Sequence, residues 1–597
     1  MVGSSKPLHI SPDVYLPLHR TQVQFAREQL DNCLSNDSHL CTPRSNIGGH
    51  DWPRRLLRIS GDSVVLVEFD AQTMVGKYTA LSYCWGAEEE LRQRPNLRTT
   101  LETYASMTSG IPIQDLPLTL RQAVWVTVCL GQMYIWIDSI CIIQDSPSDW
   151  AAEALKMATV YAMSAVTIIA ASSTSCHSGF FSMADNRQDG LGHLLDVGIP
   201  PPFTIHATDL RFERSRGGFH YFPGADPIDK RGWTFQEEQL STRYIKFTST
   251  DLQWECQAGV TCLCGAEPAW AYSAQWNAKQ DVTSNSSVAW RLIVSHFSGR
   301  SFARESDKLP AISGLARRFA AERQTQGARL NYIAGCWRET IASLTDLEWG
   351  IDQDSVCPCP ESYIAPSFAW PSVNGRVMAD EHTYARYEAK LADPETAVRL
   401  CEVIRVDAQP VVQGDSFGQV LAGELVLRGP VMTRWMLQQD SFLITLTWGE
   451  KSPRLWPAEH DKRYNLDSTC FFDCKISACT SANKGQSLHR CPGPTCPLAL
   501  DISNDHKYLD LKWQVWRGMD SKTDDLAEVD LVLLTLTDVG TTRKCTCLLL
   551  GRPEPDSQIY QRIGLAELLV WEKGANTGCP KPDPRDLEPF MKEITIR

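Results

Sequence analysis

The sequence predicts an α/β fold: a doubly wound, mostly parallel sheet, followed by a helical segment and a β-rich C-terminal region. Three observations carry this. Tyr78-Thr-Ala-Leu-Ser-Tyr-Cys-Trp-Gly86 is an extended apolar run that stops in a Ser, an aromatic pair and a glycine, as the carboxyl end of a strand does. Two later runs repeat the form, Tyr134-Ile-Trp-Ile-Asp-Ser-Ile-Cys-Ile-Ile143 and Val166-Thr-Ile-Ile-Ala-Ala-Ser-Ser173. The first of these is nearly continuous in apolar residues, as a strand covered on both faces must be. Helical periodicity fills the gaps between the runs, and strand-helix-strand-helix-strand is the order of a parallel sheet. Ligands of such sheets sit just beyond the strands' carboxyl ends.

The elements follow in chain order. Residues 1 to about 50 are polar and mixed, carry Cys33 and Cys41, and read as an arm or short helices packed on the next domain. Arg55 to Phe69 forms two strands around a Gly61-Asp62 turn. Leu116-Pro117 leads into a helix in which Leu120, Ala123, Val124, Thr127 and Val128 recur at helical spacing, with Gly131 as its stop. Ser146-Pro-Ser-Asp149 opens a second helix with Pro in the first turn and a capping-box-like spacing. Trp150, Ala154, Met157 and Tyr161 share one of its faces. Residues 174 to about 228, rich in Gly, Pro and Asp, read as an insertion across one end of the sheet. Lys230 to Ser241 is a short helix, and Arg243–Thr248 with Leu252–Cys256 a closing strand pair. The expected division is an arm at 1–50, an α/β domain with a leading hairpin at 51–257, a helical segment at 258–355 and a β-rich region at 356–597.

Bulk properties exclude several classes. Of 597 residues, 43% are hydrophobic and 22% charged, ordinary for a globular chain of two or three domains. A formal charge of -13, with no basic stripe, argues against nucleic acid as the main partner. No run reaches the roughly 20 apolar residues of a spanning helix, and the first residues lack a signal peptide's apolar core. The expected compartment is cytoplasmic, so the 21 cysteines read mostly as reduced thiols. No phosphate loop, His-Glu-x-x-His or Gly-x-Ser-x-Gly is present, which removes support for ATP-driven, protease and hydrolase readings.

Five motifs come in a fixed order: Tyr78–Gly86, Leu116-Pro-Leu-Thr-Leu120, Tyr134–Asp145, Asp149-Trp-Ala-Ala-Glu153 and Arg231-Gly-Trp-Thr-Phe-Gln-Glu237. Together they resemble the HET domain of fungal heterokaryon-incompatibility proteins, over roughly residues 76 to 257. Asp307–Ala316, Tyr332–Trp337 and Ala365–Trp370 look like the region that commonly follows such domains. One departure is Gln122, where the family tends to carry an Asp. Its loss from the start of a helix costs about 0.5 kcal/mol. The resemblance implies nonself recognition after hyphal fusion with programmed cell death as its output, and as partners either self-association or other cell-death signalling proteins.

HET domains are distantly similar to TIR domains, several of which cleave NAD with a glutamate four residues beyond a tryptophan, on the helix after the third strand. Trp150-Ala-Ala-Glu153 looks like the motif but lies one helix too early. Trp233-Thr-Phe-Gln-Glu237 has the right spacing and place, which makes Glu237 the catalytic candidate. A helix sets residues four apart on one face. The resemblance then gives Ser82, Tyr83, Trp85 and Gly86 as hydroxyls, stacking face and close approach for a nucleotide, Asp138 as acceptor for a ribose hydroxyl, and Trp233 as part of the wall. Structural readings compete with each role: core packing for the tryptophans, a turn acceptor for Asp138, and ion pairing with Arg231 or Arg243 for Glu237. Two classes therefore stay open, an NAD glycohydrolase and a non-enzymatic scaffold acting by self-association.

The remaining chemistry lies in cysteines. Cys470, Cys474, Cys479, Cys491 and Cys496, with His489, put soft ligands in a short span. Their spacings match no standard zinc ribbon, and a thiol-rich loop is the better reading. No cofactor is expected; NAD enters only as a substrate.

Overall fold

The computed structural model describes residues 16–35, 41, 52–69, 77–181, 226–249, 252–263, 287–351, 360, 362–378, 397–440, 443–447, 464–472, 476–481, 484–490, 527–539, 542–552, 558–572 and 587–597. They divide into two compact units, residues 1–284 with 317–322, and residues 285–316 with 323–597.

The first unit opens with helix α1 (Leu16–Ser35). A hairpin of β1 (Arg55–Ser60) and β2 (Ser63–Glu68) follows. Ser60 faces Ser63 across a two-residue turn, and Gly61 supplies the positive φ (58°) that turn requires. Next come β3 (Thr79–Ser82), α2 (Glu88–Gln93), α3 (Tyr104–Ser109), β4 (Ile111–Pro112) and α4 (Leu118–Cys129). Then come β5 (Tyr134–Trp136), a single turn α5 (Asp138–Cys141), α6 (Pro147–Met163) and β6 (Val166–Ile169). The unit closes with α7 (Gly232–Leu240), β7 (Arg243–Phe247), β8 (Leu252–Cys256) and β9 (Gly259–Cys262).

Among the described residues nine strands form one sheet in the order β4-β2-β1-β5-β3-β6-β7-β8-β9. The central four, β5-β3-β6-β7, are mutually parallel. The hairpin on one side and β8–β9 on the other are antiparallel, so the sheet is mixed. The second and third central strands are shorter than the sequence predicts: Asp138 already begins a helical turn, and the third ends at Ile169.

In chain order the central strands lie 2-1-3-4. The chain steps one way from β3 to β5, then back over β3 to β6 and on to β7. Right-handed crossovers put α4 on one face and α6 and α7 on the other, and α6 and α7 do pack together while α1 meets α4 and β8. The reversal makes the carboxyl ends of β3 and β6 a topological switch point.

Local chemistry fixes the helices. Ser146 caps α6 by accepting from the Asp149 amide at 3.4 Å, with Pro147 at the first position. Gln122 is buried on α4 and accepts the Phe180 amide at 2.7 Å, so this departure from the family pattern has a bonding role here. The core is continuous through Leu56, Leu57, Leu81, Val124, Ile135, Trp136, Tyr161 and Ile168, each contributing about 1.5–3 kcal/mol by burial. Trp136 meets Tyr161 edge to face at 5.6 Å. Buried Arg55 ties the hairpin to α6, pairing with Asp149 and donating to the Cys141 carbonyl.

The second unit holds a helix at Ser287–Ser298, both ends of a helix at Pro310–Thr325 and, among the described residues, an eleven-stranded sheet with the long strands Val420–Asp440, Ala527–Val539, Thr542–Gly551 and Ile559–Glu572. This matches the expected helical segment followed by β structure. Around the small hairpin at Tyr332–Trp337, the indoles of Trp290 and Trp370 both donate to the Gly335 carbonyl, at 3.0 and 2.8 Å. Gly335 (φ 97°) admits no side chain there, since a Cβ would lie 2.7 Å from Pro371. Buried Arg562 stacks on Trp349 at 3.5 Å and donates to the Leu347 carbonyl at 2.6 Å.

Candidate functional site

Three backbone segments bring the site together at the switch point. Ser82 ends β3, fully buried and paired in register with Ile169 of β6. Asp138 stands just past the end of β5, at the first turn of α5. Glu237 lies on α7, which packs against β3 and α6.

The rotation of α7 is pinned from several sides. Lys246 of β7 reaches Glu238 at 3.1 Å and Asp229 at 2.9 Å. The Thr234 hydroxyl donates to the Ile228 carbonyl at 2.7 Å. Ser241 closes the helix, donating to the Glu237 carbonyl at 2.6 Å while sharing a hydrogen bond with Thr167. With Glu238 turned to Lys246, the neighbouring Glu237 faces inward and is only 5% exposed.

Inside, the Glu237 carboxyl has Ser82, Asp138, Arg231 and Tyr161 around it. Burial, then the negative charge of Asp138, pushes it up to about 7; Ser82, Arg231 and Tyr161 pull the other way. The Ser82 hydroxyl lies beside it, yet among the described residues no partner reaches that hydroxyl with hydrogen-bond geometry. Asp138 is raised as well, chiefly by burial. Arg231, the Trp85 indole, the Ser139 amide and Tyr83 limit its rise. The Trp85 indole N–H donates to Asp138 Oδ2 at 2.9 Å, and the Ser139 amide to Oδ1 at 2.6 Å. Arg231 faces both carboxyls and is anchored by donating to the Tyr83 carbonyl at 2.6 Å.

The other expected residues take structural positions at the rim. The Tyr83 hydroxyl donates to Ser139 Oγ at 2.9 Å and accepts from Asn96 at 3.1 Å, so it supports the Asp138 turn. Gly86 has φ 121°, and a Cβ there would lie 2.9 Å from Ser175 Cβ. Only glycine fits. Trp233 meets Trp150 edge to face at 6.3 Å, an aromatic pair joining α7 to α6. Glu153, the rejected alternative, is buried and paired with Lys156 at 3.1 Å. Arg243 bonds elsewhere, to Cys33 and the Cys41 and Ala165 carbonyls.

The structure thus gathers Ser82, Asp138 and Glu237, with Trp85 on Asp138. Sequence reasoning did not find Tyr161 as a neighbour of Glu237, nor Asn96 and Ser139 as supports. Tyr161 carried only a helical-face signal, which marks core and site residues alike. The arrangement is two acidic groups and one cation at the mouth of parallel strands, able to hold and release a proton near neutral pH. The cysteine run at Cys470, Cys474, Cys479, Cys491 and Cys496 lies outside the residues whose side chains are described.

No helix among the described residues is long and apolar enough to cross a membrane. Neither the curated proteins nor the solved structures contain a match to the chain. One family model does match, that of the Heterokaryon incompatibility protein (HET), over residues 78–237. The span begins beside β3 and ends on Glu237, the two elements that meet at the site. Over residues 78–237 the chain is similar to the HET domain of heterokaryon incompatibility proteins.

Proposed function

We propose that this HET domain serves fungal nonself recognition and programmed cell death by cleaving NAD at the nicotinamide–ribose bond, in the manner of TIR domains, with Glu237 as the catalytic carboxylate. The observation that carries the reading is the meeting of Glu237 with Ser82 and Asp138 at the switch point of the parallel strands. In the step, the C1′–N bond breaks and nicotinamide leaves with the electron pair. The ribosyl cation so formed is stabilised by the Glu237 carboxylate. Water then bonds to C1′ and gives up a proton. The substrate's nicotinamide ring is itself cationic, and a positive charge beside Glu237 lowers its pKa. Glu237 therefore ionises as substrate enters. Asp138, held by Trp85 and Ser139, accepts from a ribose hydroxyl in this reading.

A second reading keeps the biology without the chemistry: the domain signals by self-association, and the buried groups are scaffolding. The packing of Trp233 on Trp150 favours it, since that indole is already engaged. Nicotinamide release from NAD by the full chain, dilute and concentrated, separates the two. Release that Glu237→Gln lowers by about 100-fold or more, with folding intact, supports cleavage. No release at any concentration supports self-association.

A further inference from the structure

Three cysteines distant in sequence meet at one edge of the first unit. Cys33 lies in the last turn of α1, Cys41 follows it, and Cys256 ends β8. Their sulfurs all lie within 4.8 Å of one another. Four thiolates around a tetrahedral zinc at about 2.3 Å stand roughly 3.8 Å apart, so small side-chain adjustments close the cluster on one ion. Cys41 and Cys256 are buried, while Cys33 is half-buried and gives the cluster a side open to entry.

Charge fits as well. Arg243 sits directly across the β7–β8 ladder from Cys256. Its Nε donates to Cys33 Sγ at 3.1 Å, and its other nitrogens hold the Cys41 and Ala165 carbonyls. Three thiolates and one divalent cation carry a net charge of minus one, which the buried Arg243 balances. A site of three thiolates suits a soft, borderline cation and not magnesium or calcium.

We propose that Cys33, Cys41 and Cys256 form a site for a thiophilic divalent cation of the zinc class, fastening α1 to β8. Among the described residues no fourth His, Cys, Asp or Glu joins the cluster.

The test uses the full chain purified under reducing conditions, loaded with zinc or with cobalt as a spectroscopic probe. Metal analysis should find zinc retained through gel filtration. Cobalt should give a thiolate charge-transfer band. Cys256→Ser should lower the retained zinc by about one ion per chain and abolish that band. Cys33→Ser, at a half-buried position, serves if Cys256→Ser does not fold; Cys129→Ser, outside the cluster, should change neither readout. Zinc content and cobalt spectrum unchanged in both cluster variants would overturn the proposal. So would a reduced wild-type chain that retains no metal, or one whose cluster only forms a disulfide.

Discussion

Replacing Glu237 by Gln should stabilise the protein at alkaline pH while removing any catalysis. The fold raises this carboxyl from 4.5 to about 7, mainly through burial and the charge of Asp138. In the unfolded chain the group loses its proton near 4.5; in the fold it keeps it until about 7. Between those values the native state binds more protons than the unfolded one, so stability falls as pH rises. Below the window both states are protonated and the penalty vanishes; above it the penalty is complete and flat. A rise of this size corresponds to about 3 kcal/mol. Gln has nearly the same shape and never ionises, so the variant escapes the penalty. Urea unfolding of both proteins across the range supplies the assay. The variant should match the wild type near about pH 4 and exceed it by about 3 kcal/mol near about pH 8. Asp138 titrates in both proteins, so the difference between the curves is the readout. A difference that does not change with pH, or a wild type more stable at the alkaline end, would refute the reasoning.

Three other outcomes follow from the same geometry. Asp138→Asn removes the charge that helps raise Glu237, so the upper end of the pH window of that stability difference should move downward; an unmoved upper end contradicts the pairing. Gly86→Ala forces a side chain into a positive-φ position and against Ser175, at a cost of about 1–3 kcal/mol in denaturant titration. Asp149→Ala leaves Arg55 buried without its ion partner and should cost about 3–5 kcal/mol, read by the same unfolding assay.

The parallel core was legible because its signals are local. Thr79–Ser82 and Val166–Ile169 are apolar runs that end in turn residues, and α4 and α6 show their apolar faces, Gly131 stop and Ser146 cap in the sequence itself. The extent of the antiparallel flanks was not. Their pairing depends on partners distant in sequence, such as Ile111 beside Val64, and residues that look like strand, Asp138 to Cys141, form a helical turn instead. At the site, the four-residue spacing of Trp233 and Glu237 pointed to the helix, and the strand ends pointed to Ser82 and Asp138. What spacing could not convey is the rotation of α7. That is decided by Lys246, eight residues past Glu238, and by the Thr167–Ser241 contact. The thiol cluster was hidden for the same reason: Cys33 and Cys41 carry no metal spacing of their own, and Cys256 joins them only through the fold.

The central claim is that the buried acid of α7 performs chemistry on a nucleotide. Timed measurement of free nicotinamide from NAD, with wild type and Glu237→Gln at matched high concentration, addresses it most directly. The account predicts steady release by the wild type and its near disappearance in the variant. Equal release from both proteins, or none from a folded and self-associated wild type, would contradict it.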